Sequence, residues 1–436
     1  MSRKSLVLCV SVLGIFLITV AASLYFLYSG TGESKDSIAD SREYMLLAAV
    51  PSDADAVLRF EDLGTLMDCL SPERSAFGYF VSDRADAGKM TSFLENIRAS
   101  SSMYQDLMSA SAVLSVHNIG EPASLLVLDA GKSGDTPSQA ADLLVSEARK
   151  SGMAAEYADG SDHVSVGSPL RKRALVLVSS SDILVQSALR HLKAEVSVLD
   201  KTGFPESVDM VSAGNMAVIP ESGVGRLASR LFSKNCHDAV EAAAGFADCT
   251  AFEIRKCGPD GFSLSGKAFS AGSTGDMLNI YAGLAPSKSE VSSVLPSYVI
   301  YAASVPFDNV AAYQKTYLAF AQTKSLVKDI EAKRAALKKA TGIDPESWAE
   351  ALSLKEAATA CFTAGGSLEK ILLARVGQKF PRILFKGIQD VSETDFEDRI
   401  FQYGYQGYLS ALFGGMFSLE NESCFMMHGG LLMVGS

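Results

Sequence analysis

"LPSYVIYAASVPF", residues 295–307, repeats late in the chain a phrase already present as "VPSDADAVLRF", residues 50–60. Each opens on an aliphatic residue, continues with Pro-Ser, and runs into a short apolar stretch of strand character. A phrase that recurs so far along a chain marks a duplicated structural unit.

Reading forward from both copies gives the same order of elements. After residue 60, "EDLGTLMDCL" carries apolar residues at helical spacing, and residues 84–108 read as further helix. "SAVLSVHN" and "SLLVLDAG" read as two strands joined across "IGEPA". "SQAADLLVSEARKSG" is a helix stopped by Gly152, and "AAEYADGSDHVSVG" a hairpin across Asp159-Gly160. "RALVLVSSS" is a buried strand, and "SDILVQSALRHL" a helix with Ser181 or Asp182 as N-cap. In the second copy, residues 308–342 read as one long amphipathic helix ending at Gly342, followed by "DPESWAEAL" as another. "ATACFTA" and "KILLARVG" are the matching strand pair, "SETDFEDRIFQYG" is a helix, and "NESCFMMHG" and "LLMVGS" are strands. Pro51 to Ser111 spans 60 positions, and Pro296 to Ala358 spans 62.

Between the copies, "NMAVIP" is a strand, "GVGRLASRLF" and "HDAVEAAAGFA" are helices, and residues 274–293 return as helix. "TAFEIRKC" and "FSLSGKAFS" form a hairpin across Gly258-Pro259-Asp260-Gly261. The last strand, "LLMVGS", lacks the covering helix that follows its counterpart in the first copy. The second module is therefore expected to be shortened, with Leu431, Leu432, Met433 and Val434 open to a partner segment, or closed by the long helix at 308–340.

The first thirty residues place the chain. Arg3 and Lys4 precede an uncharged apolar run from Ser5 to Tyr28, long enough to cross a bilayer as a helix. Cations before the span and an acidic-leaning flank after it set the N-terminus in the cytoplasm and the bulk outside. The run continues past the small residues Val20-Ala21-Ala22, which favours an uncleaved signal anchor over a cleaved signal peptide. The expected fold is α+β: an N-terminal transmembrane helix followed by two repeated α+β modules with mixed or antiparallel sheets. The boundaries are 1–28 for the cytoplasmic tip and transmembrane signal anchor and 29–44 for a linker. The first module takes 45–202, an intervening α+β segment with a hairpin 203–294, and the second module 295–436.

The chain is 48% hydrophobic and 20% charged, with a formal net charge of −11 and no basic run beyond residue 30 outside one interrupted helix. That balance supports a packed core and excludes nucleic acid as a partner. The helix is "KSLVKDIEAKRAALKK", whose Lys324, Lys328, Lys333, Arg334, Lys338 and Lys339 read as a solvated face or a contact for anionic headgroups. "YGYQGYLSALFGGMF", 403–417, reads as a core helix, with an exposed binding patch as the alternative.

No pattern of catalytic residues emerges. His117, His163, His191, His237 and His428 show no metal-binding spacing and read as structural or solvated. Asp53 and Asp55 stand two apart before a strand and read as a solvated strand start. Lys201-Thr202-Gly203 echoes an element of penicillin-recognising serine enzymes, but Ser325-x-x-Lys328 and Ser367-x-x-Lys370 follow it instead of preceding it. Of seven cysteines, none forms Cys-x-x-Cys. Cys9 lies in the apolar span, and Cys236, Cys249 and Cys257 lie close together and read as separate buried thiols, a bridge among them being the alternative. Catalytic, cofactor and metal residues are accordingly expected to be none.

"VPSDADAVL", "ALVLVSSSDILVQSAL" and "ATGIDPESWAEAL" before a strand pair resemble motifs of a bacterial family of signal-anchored extracytoplasmic proteins of unknown function. The resemblance is spread over residues 48–436. It implies an envelope location, tandem α+β modules and no assigned activity. The expected role is a non-catalytic binding or scaffolding protein of the bacterial inner membrane. Its partners would be the lipid bilayer, through residues 5–28, and an envelope protein, with no cofactor. The alternative is an envelope hydrolase whose residues are scattered beyond motif recognition.

Overall fold

The computed structural model describes residues 45–82, 88–132, 139–160, 172–211, 214–231, 245–272, 275–282, 284–285, 287–364, 367–388 and 391–436. The expected membrane span at 5–28 and linker at 29–44 lie outside the described residues, as do Cys9, His163, Cys236 and His237. Among the described residues no helix is long and apolar enough to cross a membrane. They fall into two compact units that meet in sequence at Ala271/Gly272. Both are mixed α+β, each built on an antiparallel sheet.

The strands of the first unit are β1 (Ala56–Phe60), β2 (Ala112–Asn118), β3 (Pro122–Lys132), β4 (Ala154–Asp159), β5 (Arg173–Ser179), β6 (Met216–Pro220), β7 (Cys249–Gly258) and β8 (Gly261–Phe269). Its helices are α1 (Leu63–Leu70), α2 (Ala76–Ser82), α3 (Gly88–Ala99), α4 (Gln105–Met108), α5 (Gln139–Lys150), α6 (Asp182–Ala194), α7 (Phe204–Asp209) and α8 (Glu221–Leu231). The sheet order is β4-β5-β3-β2-β1-β6-β7-β8. Val57, Val113, Leu125, Leu177 and Val218 pack on one face against α6, α7 and a short turn at Met45–Ala49. Leu114, Leu126, Leu128, Val176 and Val178 pack on the other against α1, α3 and α5. Covered on both faces, β5 is apolar and buried along nearly its whole length instead of alternating.

In the second unit the strands are β9 (Val299–Pro306), β10 (Leu354–Ala364), β11 (Ser367–Val376), β12 (Ile400–Gln402), β13 (Cys424–His428) and β14 (Leu431–Gly435). The helices are α9 (Val310–Thr323), α10 (Val327–Thr341), α11 (Pro345–Leu352) and α12 (Tyr408–Phe413). The sheet order is β12-β13-β14-β11-β10-β9. One face carries an aromatic core that includes Trp348, Tyr313, Tyr408, Phe413 and Phe425. Arg334 of α10 is turned into this layer. Its Nε donates to Ala411 O at 3.1 Å, and its guanidinium also reaches Gln314 and Glu346. One buried cation thus ties α9, α10, α11 and α12 together.

The duplication holds at the level of topology. β1-β2-β3-β5-β4 and β9-β10-β11-β14-β13 are the same order of equivalent strands, antiparallel throughout. Other expectations are corrected. The segment 203–294 does not stand between two modules, because its strands extend the first sheet. Val57 pairs with Val218 and Arg59 with Met216, which puts the apolar residues of β6 into the layer already formed by Val57. Residues 308–342 are two helices, broken where Ser325 takes a left-handed φ of 60°. Residues 392–404 are not helical: Asp398 has φ 59°, and Ile400 pairs with Met426 in β12.

The described residues of 275–293 form only short turns, Met277–Ile280 and Val291–Ser293, where the sequence offers Gly283 and Pro286 against a helix. Buried Glu356 accepts from Ser289 Oγ at 2.5 Å and from the backbone N–H of Glu290 at 2.9 Å, and so fastens this segment to the second sheet. The expected bare face at the last strand is covered by the chain's own elements. Leu432 and Val434 are fully buried in the aromatic core, and Leu431 packs with Val291 and Leu373. Residues 403–417 supply core, since every residue of α12 is buried.

Candidate functional site

Two features rise above ordinary packing, one in each unit. The first is a buried polar cluster where the chain enters β1. Ser115 and His117 stand two apart on β2 and therefore share a face. His117 is fully buried; its Nε2 lies 2.8 Å from Ser115 Oγ and its Nδ1 3.0 Å from Asp53 Oδ1. An ionised carboxylate only accepts, so Nδ1–H donates to Asp53, while Nε2 and the Ser115 hydroxyl are hydrogen-bonded to each other. The His117 hydrogen bond holds the Asp53 carboxyl below its usual range.

Asp55, two residues on, is fully buried and lies 2.6 Å from Arg226 Nε of α8. Its backbone N–H donates to Val116 O at 2.7 Å. α8 approaches so closely that a Cβ on Gly223 would sit 1.7 Å from Asp55 O, so only glycine fits. Lys201 donates from Nζ to Ser222 Oγ at 2.7 Å, and burial first, then the Arg226 cation, depresses its pKa. Cys249 lies at the start of β7, its thiol pushed up to about 12 by burial, which leaves it unreactive.

Ser115, His117 and Asp53 stand in the order nucleophile, base and orienting carboxylate. Access runs the wrong way for that use. Ser115 is fully buried, whereas the Asp53 side chain is 54% exposed. As built, the relay fastens the chain before β1 to β2. Asp53 is exposed at the strand start, as expected from sequence, and also bonds His117, whereas Asp55 is fully buried instead of solvated. Sequence reading missed the grouping because Asp53 and His117 are 64 positions apart and belong to no local motif. Of the remaining described histidines, His191 near the end of α6 lies close enough to Asp53 to interact with it electrostatically, and exposed His428 bonds Asp398 at 2.6 Å.

A cleft of about 340 Å³ in the same unit is lined by Asp106, Ser109, Ser111, Asp129 and Arg173, but the Arg173 guanidinium is already engaged by Asp129. Among the described residues of either unit taken alone, no three carboxylate, thiol or imidazole ligand atoms come within reach of one metal ion. Cys69 and Cys257 form a disulfide, a pairing that the grouping of Cys236, Cys249 and Cys257 concealed.

The second feature is the free edge of the second sheet. β9 pairs with β10 on one side, and no described strand pairs with the other. From Leu295 to Phe307 the sequence has no charge. Tyr298 is 63% exposed and Ile300 42%, and the Tyr298 ring meets Phe362 edge-on at 6.1 Å. The other sheet edges carry protective features. β4 has Glu156 and Asp159, β8 has Lys267, and β12 is three residues long behind Arg399. Tyr298 and Ile300 stand at the same offsets from Pro-Ser as Asp53 and Asp55 in the first copy. Where the first copy places its anchoring carboxylates, the second places apolar side chains in solvent.

The basic helix gives a mixed outcome. Arg334 is buried and Lys333 donates to Ser410 Oγ at 2.7 Å, while Lys324, Lys328, Lys338 and Lys339 are exposed.

The chain matches no protein-family model, no curated protein and no solved structure.

Proposed function

We propose that this chain is a non-catalytic binding or scaffolding protein of the bacterial envelope. Residues 5–28 anchor it in the inner membrane, with the N-terminus cytoplasmic and the bulk outside. The observation that carries the binding role is the uncharged edge of β9, with Tyr298 and Ile300 exposed beside it. Such an edge offers unpaired backbone donors and acceptors flanked by apolar side chains, the requirement for adding a strand from a protein partner. Two features support the location: the Arg3/Lys4 flank of the apolar span, and the Cys69–Cys257 bridge, which suits an oxidising compartment.

A photo-crosslinking residue at Ile300, in cells, tests the binding role. Protein adducts are expected there and not at Lys339, an exposed position in the same unit. Equal yields at both positions would refute it. A reporter fused after Gly30 tests the location: activity is expected only outside the cytoplasm, and cytoplasmic activity would remove the proposed compartment.

Ser115, His117 and Asp53 favour a second reading, a hydrolase in which Ser115 becomes accessible. Turnover of an ester by the native protein that Ser115→Ala abolishes would establish it. An ester-inert protein would leave the relay as an anchor.

A further inference from the structure

The repeat says what the open side of β9 is shaped to take. β1 is the equivalent strand of the first unit, and its corresponding side is filled by β6, antiparallel, with Val57 opposite Val218 and Leu58 opposite Ala217. The sheet then continues through β7 and β8. The second unit has the same strand order but nothing in the place of β6 among its described residues. A site that the fold fills with an apolar antiparallel strand in one copy is therefore left open by the described residues of the other.

We propose that β9 pairs with β9 of a second copy of this chain, antiparallel about a two-fold axis, joining two six-stranded sheets edge to edge. This rests on reading the β9 edge as a binding surface and names its occupant. An antiparallel pair of identical strands is self-complementary, as a two-fold interface requires. Charge favours this contact over others on the molecule. The chain carries a formal net charge of −11, so two copies repel overall, whereas the stretch from Leu295 to Phe307 brings no charge to the contact. Pro306 donates no N–H and closes one end of the strand, which confines pairing to Val299–Val305, with Ala302 at the centre. Tyr298 and Ile300 of each copy would then be covered by the other copy instead of by water. Anchoring both chains in one membrane would raise their effective concentration and leave a two-fold axis along the membrane normal permitted.

The test uses the full chain in nanodiscs. Its protein mass is expected near twice the 46.2 kDa of one chain, falling by half in Ile300→Lys. Cysteine introduced singly at Ile300, Ala302 or Ser304 should give a reducible dimer at whichever position lies nearest the axis, because directly opposed strand residues lie within disulfide reach. The wild type provides the background from native cysteines. A monomeric mass with no crosslink above wild type at any of the three positions would overturn the proposal. If that monomer still yields adducts with other proteins from Ile300, the second copy is wrong and the binding role survives; if it yields none, both fail.

Discussion

Replacing Cys69 and Cys257 together by alanine opens a loop closed across 188 positions of sequence. Cys69 is buried near the end of α1, and Cys257 lies beside the tight turn between β7 and β8. That end of the hairpin is less covered, as β7 is buried over its first four residues and half-buried or exposed after them. Besides the bridge, Phe77 meets Phe262 edge-on at 5.7 Å, and Ser75 Oγ lies 3.1 Å from Cys257 Sγ. For a loop of this length the chain-entropy relation gives about 5 kcal/mol of stabilisation, and removal of native bridges typically costs about 2–5 kcal/mol. At about 2–4 °C per kcal/mol for a unit of this size, the variant should melt roughly 5–20 °C lower. Calorimetry and urea denaturation, with and without reductant, read this directly. Reductant should bring the wild type down to the variant's midpoint and leave the variant unchanged. A wild type indifferent to reductant, with Cys69 and Cys257 alkylated after unfolding without it, would refute both the bridge and the compartment argued from it.

Asp53→Asn should lower the melting temperature at pH 7. The folded-state pKa of Asp53 lies below its ordinary 3.8, so its stabilisation is present above that value and lost as pH falls through the folded pKa. The gap to wild type should therefore close in acid, and a gap independent of pH would remove the His117 bond as its cause. Gly223→Ala forces a Cβ onto Asp55 O and should cost about 3 kcal/mol, the upper end for overpacking; an unchanged urea midpoint would contradict the close approach of α8. Arg334→Ala leaves buried Gln314 and the Ala411 carbonyl without their shared donor and should cost about 2 kcal/mol in urea denaturation. A neutral effect would show that α10 is held by apolar contacts alone.

The strands were legible in sequence because their signals are local. Val, Leu and Ile runs bounded by Gly, Pro and Ser mark β2, β3, β5 and the β7–β8 hairpin without reference to the rest of the chain. The echo at Val50-Pro51 and Leu295-Pro296 led to equivalent strands with the same order. Pairing between distant strands was not legible. Nothing in "NMAVIP" says that it lies beside residues 57–59, since a five-residue apolar strand suits any sheet edge. Helix continuity failed at Ser325 because a single left-handed residue ends a helix while the apolar spacing around it continues, and the spacing in 392–404 suggested a helix where the chain forms turns and β12. The polar cluster stayed hidden for a related reason. Asp53 meets His117 and Asp55 meets Arg226 only when the start of β1 comes together with β2 and α8.

The central position of β1 also sets an order of events during synthesis. Arg59 of β1 donates to Gly214 O across 155 positions, so one flank of this early strand waits for a distant part of the chain. At roughly 5–20 residues per second that wait lasts about 10–30 s, during which an apolar strand remains half paired as the chain emerges. β9 and β10 lie far closer together in sequence, and the second sheet closes through more local steps. Contact order therefore makes the first unit the slower to fold although its residues emerge first, and the stage most in need of a holding chaperone falls between the emergence of Phe60 and that of Pro220.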